Sequence, residues 1–81
     1  MIPHDEITNE DLRYKIQRRV ISFGGNRKLK IYGTLACRSG KRLKRESRVF
    51  FFSEEEALQY GYRPCSHCLR KNYRNWKQSM L

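Results

Sequence analysis

The sequence predicts a small α+β fold, in which a short antiparallel sheet of two to three strands has one helix before it and two short helices after it. The apolar residues support this, because their spacing changes from helical to alternating and back along the 81 residues. Only 38% of the residues are hydrophobic, so the core is small and an added cross-link is expected. We expect one domain over residues 1–81, with residues 1–7 as a short N-terminal arm.

The first predicted helix follows the arm. Thr8 is a candidate N-cap with Asp11 three residues later, and the helix should run from Asn9 to about Arg19. Its apolar stripe would consist of three residues at helical spacing: Leu12, Ile16 and Val20.

The sheet is expected between residues 23 and 52. Phe23–Asn26 contains two glycines and is predicted to be a turn. Lys28–Tyr32 alternates polar and apolar residues, which predicts a strand that Gly33 closes. Arg48–Phe52 predicts a second, bulkier strand, and a third short strand is expected near Leu35.

Two further helices are predicted after the sheet. Ser53 followed by Glu56 is a capping box, and Gly61 in the C′ position should end that helix. The last helix is expected to start around Cys65 and Cys68. Leu69, Tyr73 and Trp76 would pack it onto the sheet. The basic segment 37–48 is predicted to be a helical turn or a loop.

The charge of the chain predicts a polyanionic partner. The net charge is +10, and thirteen of the eighteen basic residues lie between Arg13 and Arg48, with only Glu46 as an acidic neighbour. We expect nucleic acid, DNA or RNA, bound mainly through phosphates. The expected contact residues are Arg27, Lys30, Lys41, Arg42, Lys44, Arg45 and Arg63.

Other partners and locations are disfavoured. No apolar span or lipidation motif predicts a membrane, and no small-molecule substrate is expected. Residues 1–20 contain no apolar signal-peptide region, which predicts a cytoplasmic location with reduced cysteines. We expect a monomer.

The three cysteines predict a zinc site. Cys65 and Cys68 form a C-x-x-C element that brings two sulfurs to one ion, and Cys37 can add a third. Two alternatives stay open: three inert buried thiols, or a redox dithiol. The fourth ligand is open between His4, His67, water and another external ligand.

The segment from Arg48 to Cys68 resembles a known family. The residues that carry the resemblance are Arg48-Val49-Phe50-Phe51, Ser53-Glu54-Glu55-Glu56-Ala57-Leu58 and Gly61-Tyr62-Arg63-Pro64-Cys65 with Cys68. They resemble the metal-binding N-terminal domain of the Ada DNA-repair protein, with similarity over roughly residues 27–77.

The resemblance implies a site for zinc with one change. Four cysteines bind zinc in the family, two of them from a C-x-x-C element that matches Cys65 and Cys68. Cys37 matches the second cysteine of a C-x-x-x-C element, and the first, which is the methyl acceptor from DNA phosphotriesters, falls on Gly33. Three thiolates leave a charge of −1 on the site instead of −2, which opposes a phosphate less.

Three functions follow as expectations. The leading one is a zinc-stabilised DNA-binding module, of the kind used in DNA repair or transcription regulation, that needs no methyl lesion. The second is a methyl acceptor, for which Cys37 would be the nucleophile, or else Cys65 or Cys68. The third is a protein-interaction module that uses the aromatic surface. Whether the chain is an enzyme is left open.

Overall fold

A five-stranded mixed sheet organises the computed structural model, which describes residues 1–79. The strands are β1 (Ile2–Pro3), β2 (Phe23–Asn26), β3 (Ile31–Thr34), β4 (Arg48–Phe51) and β5 (Arg63–Pro64). The helices are α1 (Asn9–Gln17), α2 (Arg38–Lys41), α3 (Glu54–Gln59) and α4 (Arg70–Ser79). Single 3-10 turns lie at His4–Glu6 and Arg45–Ser47. Within residues 1–79, no helix has the length and apolar character that a membrane crossing requires.

The α+β class is confirmed, with more strands and one more helix than expected. The strand order is β1-β4-β2-β3-β5; β5 pairs with β3 in parallel, whereas the other neighbours are antiparallel. The two edge strands contain two residues each, which is too short for an alternating pattern to reveal. The additional helix, α2, contains four residues and corresponds to the helical turn that was one of the two expectations for segment 37–48.

Strand β2 was wrongly predicted as a turn. It is the central partner of both β3 and β4, and Gly25 lies at a crowded position. A Cβ on Gly25 would lie 2.9 Å from Phe51 Cε2 and 3.1 Å from the Ile31 carbonyl oxygen. Glycine at residue 25 therefore reflects close packing, because a side chain there has no room.

The actual turn follows β2. The Asn26 side chain accepts hydrogen bonds from the Lys28 and Leu29 amides, and Lys30 has φ +57°. Strand β3 therefore begins at Ile31, three residues later than expected. The predicted strand near Leu35 is also wrong, because that residue lies in the connection from β3 to α2.

The core lies on both faces of strand β4. Val49 and Phe51 join one buried cluster with Tyr32, Ala57 and Tyr62. On the opposite face of β4, Phe50 packs against Ile7 and Ile21, which flank α1. These three residues form the second cluster. Alternation along β4 therefore connects both halves of the interior.

Helix α1 starts as predicted and ends early. The Asp11 amide donates to Thr8 Oγ1 at 3.1 Å, which confirms the N-cap. The helix ends at Gln17. Of the predicted stripe, only Leu12 packs against the core, whereas Ile16 and Val20 are 37% and 42% exposed. The stripe prediction is wrong for these two: Val20 lies beyond the end of the helix, and Ile16 is exposed in its last turn.

The signals around α3 are confirmed, whereas α4 begins later than expected. Ser53 caps α3 by accepting from the Glu56 amide, and the Glu56 carboxylate accepts from the Phe52 amide. Gly61 ends the helix with φ +83°. Helix α4 begins only at Arg70, so Cys65 and Cys68 lie in the turn before it.

Candidate metal centre

Cys37 is positioned by the connection from β3 to α2. The Cys37 amide donates to the Thr34 carbonyl at 3.1 Å, and the Cys37 carbonyl accepts from the Lys41 amide at 3.0 Å. Cys37 is thus the N-cap residue of α2, with an extended backbone. These contacts fix its sulfur beside the end of β3.

Cys65 and Cys68 are positioned by the short strand β5. The Cys65 amide donates to the Tyr32 carbonyl at 2.7 Å, which continues the parallel pairing with β3. The Cys65 carbonyl accepts from the Leu69 amide at 3.1 Å, so the C-x-x-C turn leads directly into α4. The Thr34 amide donates to the Cys68 sulfur, with an N···S distance of 3.4 Å.

The fold brings the three free thiols together. Their sulfur atoms lie within 4.8 Å of one another, and the sulfurs of Cys37 and Cys65 are 3.8 Å apart. Two sulfurs about 2.3 Å from one tetrahedral ion would be separated by about 3.8 Å. Cys37 and Cys65 are 9% and 6% exposed, and Cys68 is half-buried. The donor set and its spacing therefore fit a thiolate-bound metal ion.

The environment affects the three thiols unequally. Burial opposes ionisation of Cys37, but the nearby Gly40 backbone N–H and the thiols of Cys68 and Cys65 outweigh it and lower the pKa of Cys37. Burial raises the pKa of Cys68 to about 11, although the hydrogen bond from the Thr34 backbone N–H acts to lower it. The thiol of Cys37 is therefore more readily ionised than the thiol of Cys68.

Gly33 faces the cysteine cluster. A Cβ built on it would lie 2.7 Å from the Cys68 sulfur, 3.3 Å from Cys65 Cβ and 3.7 Å from Cys37 Cβ. A side chain at residue 33 would thus point among the three cysteines. This geometry agrees with the resemblance, in which a fourth ligand occupies the position of Gly33.

Neither histidine joins the three sulfurs. Within residues 1–79, the group of metal-ligating side chains consists of the three cysteines alone. His4 lies against Phe50, with ring centroids 5.2 Å apart, near the β1–β4 edge of the sheet. Its pKa is lowered by burial and by Arg45 and Arg48. His67 is exposed and lines two clefts that border the cluster.

A cleft of about 260 Å³ opens beside the cluster. Its lining residues include Gly33, Cys37 and Cys65, together with Arg48 and Arg63. The Arg48 Nε is buried without a hydrogen-bond partner within the described residues. Burial lowers the pKa of Arg48, which the charge of Cys37 partly offsets. Sequence reasoning placed Arg48 only in a strand and missed its position in this cleft.

The structure places the predicted DNA-contacting residues on two sets of elements. Lys30 and Arg63 lie at the β3–β5 edge, where their cationic groups are 5.0 Å from the Tyr62 ring and 5.2 Å from the Tyr73 ring, respectively. The other five lie in or beside α2 and the neighbouring turns, and all are exposed; they are Arg27, Lys41, Arg42, Lys44 and Arg45.

Arg45 has a structural role. Its guanidinium donates to the Asn9 side chain at 2.7 Å and to the carbonyls of His4 and Ile7 at 3.2 and 2.9 Å. These contacts connect the N-terminal segment to the turn before β4. The acceptors engage both terminal nitrogens, so Arg45 is the least suited of the seven residues for a phosphate contact.

Helix α4 carries a basic face that sequence reasoning missed. Arg70, Arg74 and Lys77 follow one another at i, i+4 and i+7, and all three are exposed. We call them the α4 stripe. The helix contains no acidic residue, and none of the three forms a salt bridge within residues 1–79. The helical spacing was visible in the sequence, but only the apolar side of this helix was predicted from it.

Comparison with known protein families points to the region of the chain that contains the three cysteines. A family model described as the metal binding domain of Ada matches residues 16–70, which include the three cysteines and Gly33. An uncharacterized protein of Methanocaldococcus jannaschii is 47% identical over 32 residues, which are 40% of this chain and 16% of that protein. The chain therefore matches only a small part of this relative. No solved structure matches the chain significantly.

Proposed function

The chain belongs to the family of the metal-binding domain of Ada, and from this membership we propose that it is a zinc-stabilised module that binds DNA. The convergence of three sulfurs within 4.8 Å carries the zinc part of the proposal. Thiolates favour Zn²⁺ over hard cations such as Mg²⁺ and Ca²⁺. Cys37, Cys65 and Cys68 would hold the ion, which would connect the end of β3 to the starts of α2 and α4.

The charge distribution supports DNA as the partner. The chain has ten more basic than acidic residues, and exposed basic residues lie on both elements that the cysteine cluster connects. On one side are Lys41 and Arg42 at the end of α2, and on the other is the α4 stripe. A polyanion can contact both sides at once, so the ion that fixes α2 and α4 would also arrange the binding surface.

The contacts should be mainly to phosphates. The exposed groups on this surface are flexible lysine and arginine side chains, which position a protein on nucleic acid without reading its sequence. Lys30 and Arg63 can add to it from the β3–β5 edge, where aromatic rings support their side chains. Arg45 is left out, since it already donates to three acceptors of the protein.

Fluorescence anisotropy with double-stranded DNA tests the surface. The variant Arg70→Gln/Arg74→Gln/Lys77→Gln should weaken binding, and the slope of log K against log salt should fall by about 0.9 for each phosphate that the variant no longer neutralises. The matched control, Arg13→Gln/Arg18→Gln/Arg19→Gln, removes the same charge from α1 and its C-terminal end. Equal losses of affinity in both variants would show a diffuse charge effect, and binding insensitive to salt would refute the DNA proposal.

The charge at the metal centre provides a second test. Three thiolates on Zn²⁺ carry −1, whereas a fourth would make the site −2 and repel phosphate. We therefore expect Gly33→Cys to bind unmodified DNA more weakly than the wild type. Tighter binding by this variant would contradict the proposal that the missing cysteine frees the chain from the need for a methyl lesion.

Methyl transfer to Cys37 is a second candidate function. The lowered pKa of Cys37 favours the thiolate, which is the nucleophilic form. Against it, the residue is only 9% exposed, and glycine occupies the position of the family's acceptor. Mass spectrometry after incubation with methylphosphotriester DNA distinguishes the two candidates, because transfer adds one methyl group to the chain, and binding alone adds none.

A further inference from the structure

Residues 1–79 supply three of the four ligands that zinc takes in closed sites. The metal-ligating group there is Cys37, Cys65 and Cys68, and zinc in a structural site is almost always four-coordinate. The proposed ion therefore has to take its fourth ligand from outside this cysteine set.

Gly33 indicates the side from which that ligand enters. A side chain at residue 33 would point among the three cysteines, so the missing side chain leaves this side of the cluster without a protein donor. Gly33 also lines the cleft of about 260 Å³, together with Cys37 and Cys65. The cleft therefore borders Gly33 and two of the three cysteines.

The lining of the cleft selects the chemistry of the ligand. The Arg48 guanidinium favours an anion, and its buried Nε has no hydrogen-bond partner within the described residues. Leu29, Ile31 and Leu43 provide an apolar wall that suits a short carbon chain. The all-sulfur cluster favours a soft donor. A small aliphatic thiolate is both soft and anionic, and its carbon chain fits the apolar wall.

We propose that this cleft binds a small aliphatic thiol as its thiolate, whose sulfur completes the coordination of the ion held by the three cysteines. The thiol would release its proton to solvent and its thiolate sulfur would replace a water molecule as the fourth ligand of the ion, so no oxidant or reductant is needed. Arg48 would stabilise the bound anion. The inference rests on the proposed zinc site, and because a fourth thiolate would make that site −2, we expect the bound thiol to weaken DNA binding.

Cobalt(II) spectroscopy tests the inference in the full chain. The protein is loaded with Co²⁺ under a non-thiol reductant and titrated with 2-mercaptoethanol, with ethylene glycol of similar size as the control probe. We expect the thiol to increase sulfur-to-metal charge-transfer absorption and to shift the ligand-field bands to saturation, and the glycol to do neither. The spectrum before titration should be the same in His67→Ala.

Two variants examine the cleft itself. Gly33→Cys should show the four-thiolate spectrum without added thiol and no response to it. Because a new Cβ would lie 2.7 Å from the Cys68 sulfur, this variant can fail to fold, so Arg48→Met provides the second test. Arg48→Met should raise the Kd of the thiol by about tenfold. The control is Arg42→Met, which should leave this Kd unchanged, because Arg42 lines a second cleft that borders the cluster.

The outcomes separate this inference from the zinc proposal. If Co²⁺ does not bind, the proposed metal site fails. If Co²⁺ binds but the thiol leaves the spectrum unchanged, only the thiol site is refuted. A spectrum that changes in His67→Ala before any thiol is added would identify His67 as the fourth ligand and overturn the inference. An equal effect of Arg48→Met and Arg42→Met would refute the role of Arg48.

Discussion

The two edges of the sheet are held by different means. At the β1–β4 edge the chain provides its own polar contacts: Arg45 donates to three acceptors, and the N-terminal ammonium pairs with Glu56 at 3.2 Å. At the β3–β5 edge, β5 contains only two residues, and three cysteines meet beside it. Since both edge strands contain two residues, the comparison teaches that the edges differ in what holds them: side-chain hydrogen bonds and an ion pair at one edge, and an expected ion at the other.

Removal of the metal is expected to produce the largest difference between the two edges of the sheet. With the ion chelated, hydrogen exchange should accelerate at the amides of Cys65, Leu69 and Tyr73, which connect β5 to α4, because binding free energy at such sites contributes to folding. The amides of β2 and β4 should keep more protection. Equal loss of protection at both edges would break the comparison.

Gly25→Ala tests the centre that both edges share. Its Cβ would meet Phe51 at 2.9 Å, so we expect a loss of about 1–3 kcal/mol in the free energy of unfolding, with or without metal. Gly40→Ala is the control, because nothing lies within 4 Å of its Cβ, and in α2 alanine should be neutral or stabilising. Urea unfolding measures both. A loss confined to the metal-bound form would contradict the account of β2.

Arg45→Met tests the β1–β4 edge alone. It removes three hydrogen bonds that are mostly exposed, so a loss of about 1–2 kcal/mol is expected by urea unfolding. The loss should be the same with and without metal, since Arg45 belongs to the other edge. Lys44→Met is the matched control and should change stability little. A metal-dependent loss in Arg45→Met would show that the edges are coupled.

His4 provides the smallest expected effect. Its pKa is lowered in the fold by burial, Arg45 and Arg48, so the unfolded chain binds the proton more readily. Stability should fall as the pH decreases below the unfolded value of about 6.5. The difference in unfolding free energy between wild type and His4→Gln should therefore change between pH 7.5 and pH 6, as chemical denaturation can measure. A constant difference would contradict this assignment.

The sequence predicted best the features that depend on local chemistry. The caps at Thr8, Ser53 and Gly61 are confirmed, because each depends on hydrogen bonds or backbone angles within a few residues. The family was also identified correctly. The C-x-x-C spacing pointed to one site with Cys37, and the structure brings these sulfurs together.

What the sequence did not reveal depends on tertiary contacts. Gly24 and Gly25 indicate a turn when read locally, whereas the packing of Phe51 across the sheet is what requires a glycine at residue 25. The edge strands gain their partners only after folding. Arg45 and Arg48 were indistinguishable as basic residues, until one was found against backbone carbonyls and the other in the cleft.

X-ray absorption at the zinc edge, on protein purified under reducing conditions, tests the central claim most directly. The account predicts one zinc per chain with three protein sulfurs at about 2.3 Å. In Cys65→Ser, either one sulfur is lost from the coordination shell or the chain no longer binds zinc. A folded, reduced chain that contains no zinc, or a zinc shell of oxygen and nitrogen only, would contradict it.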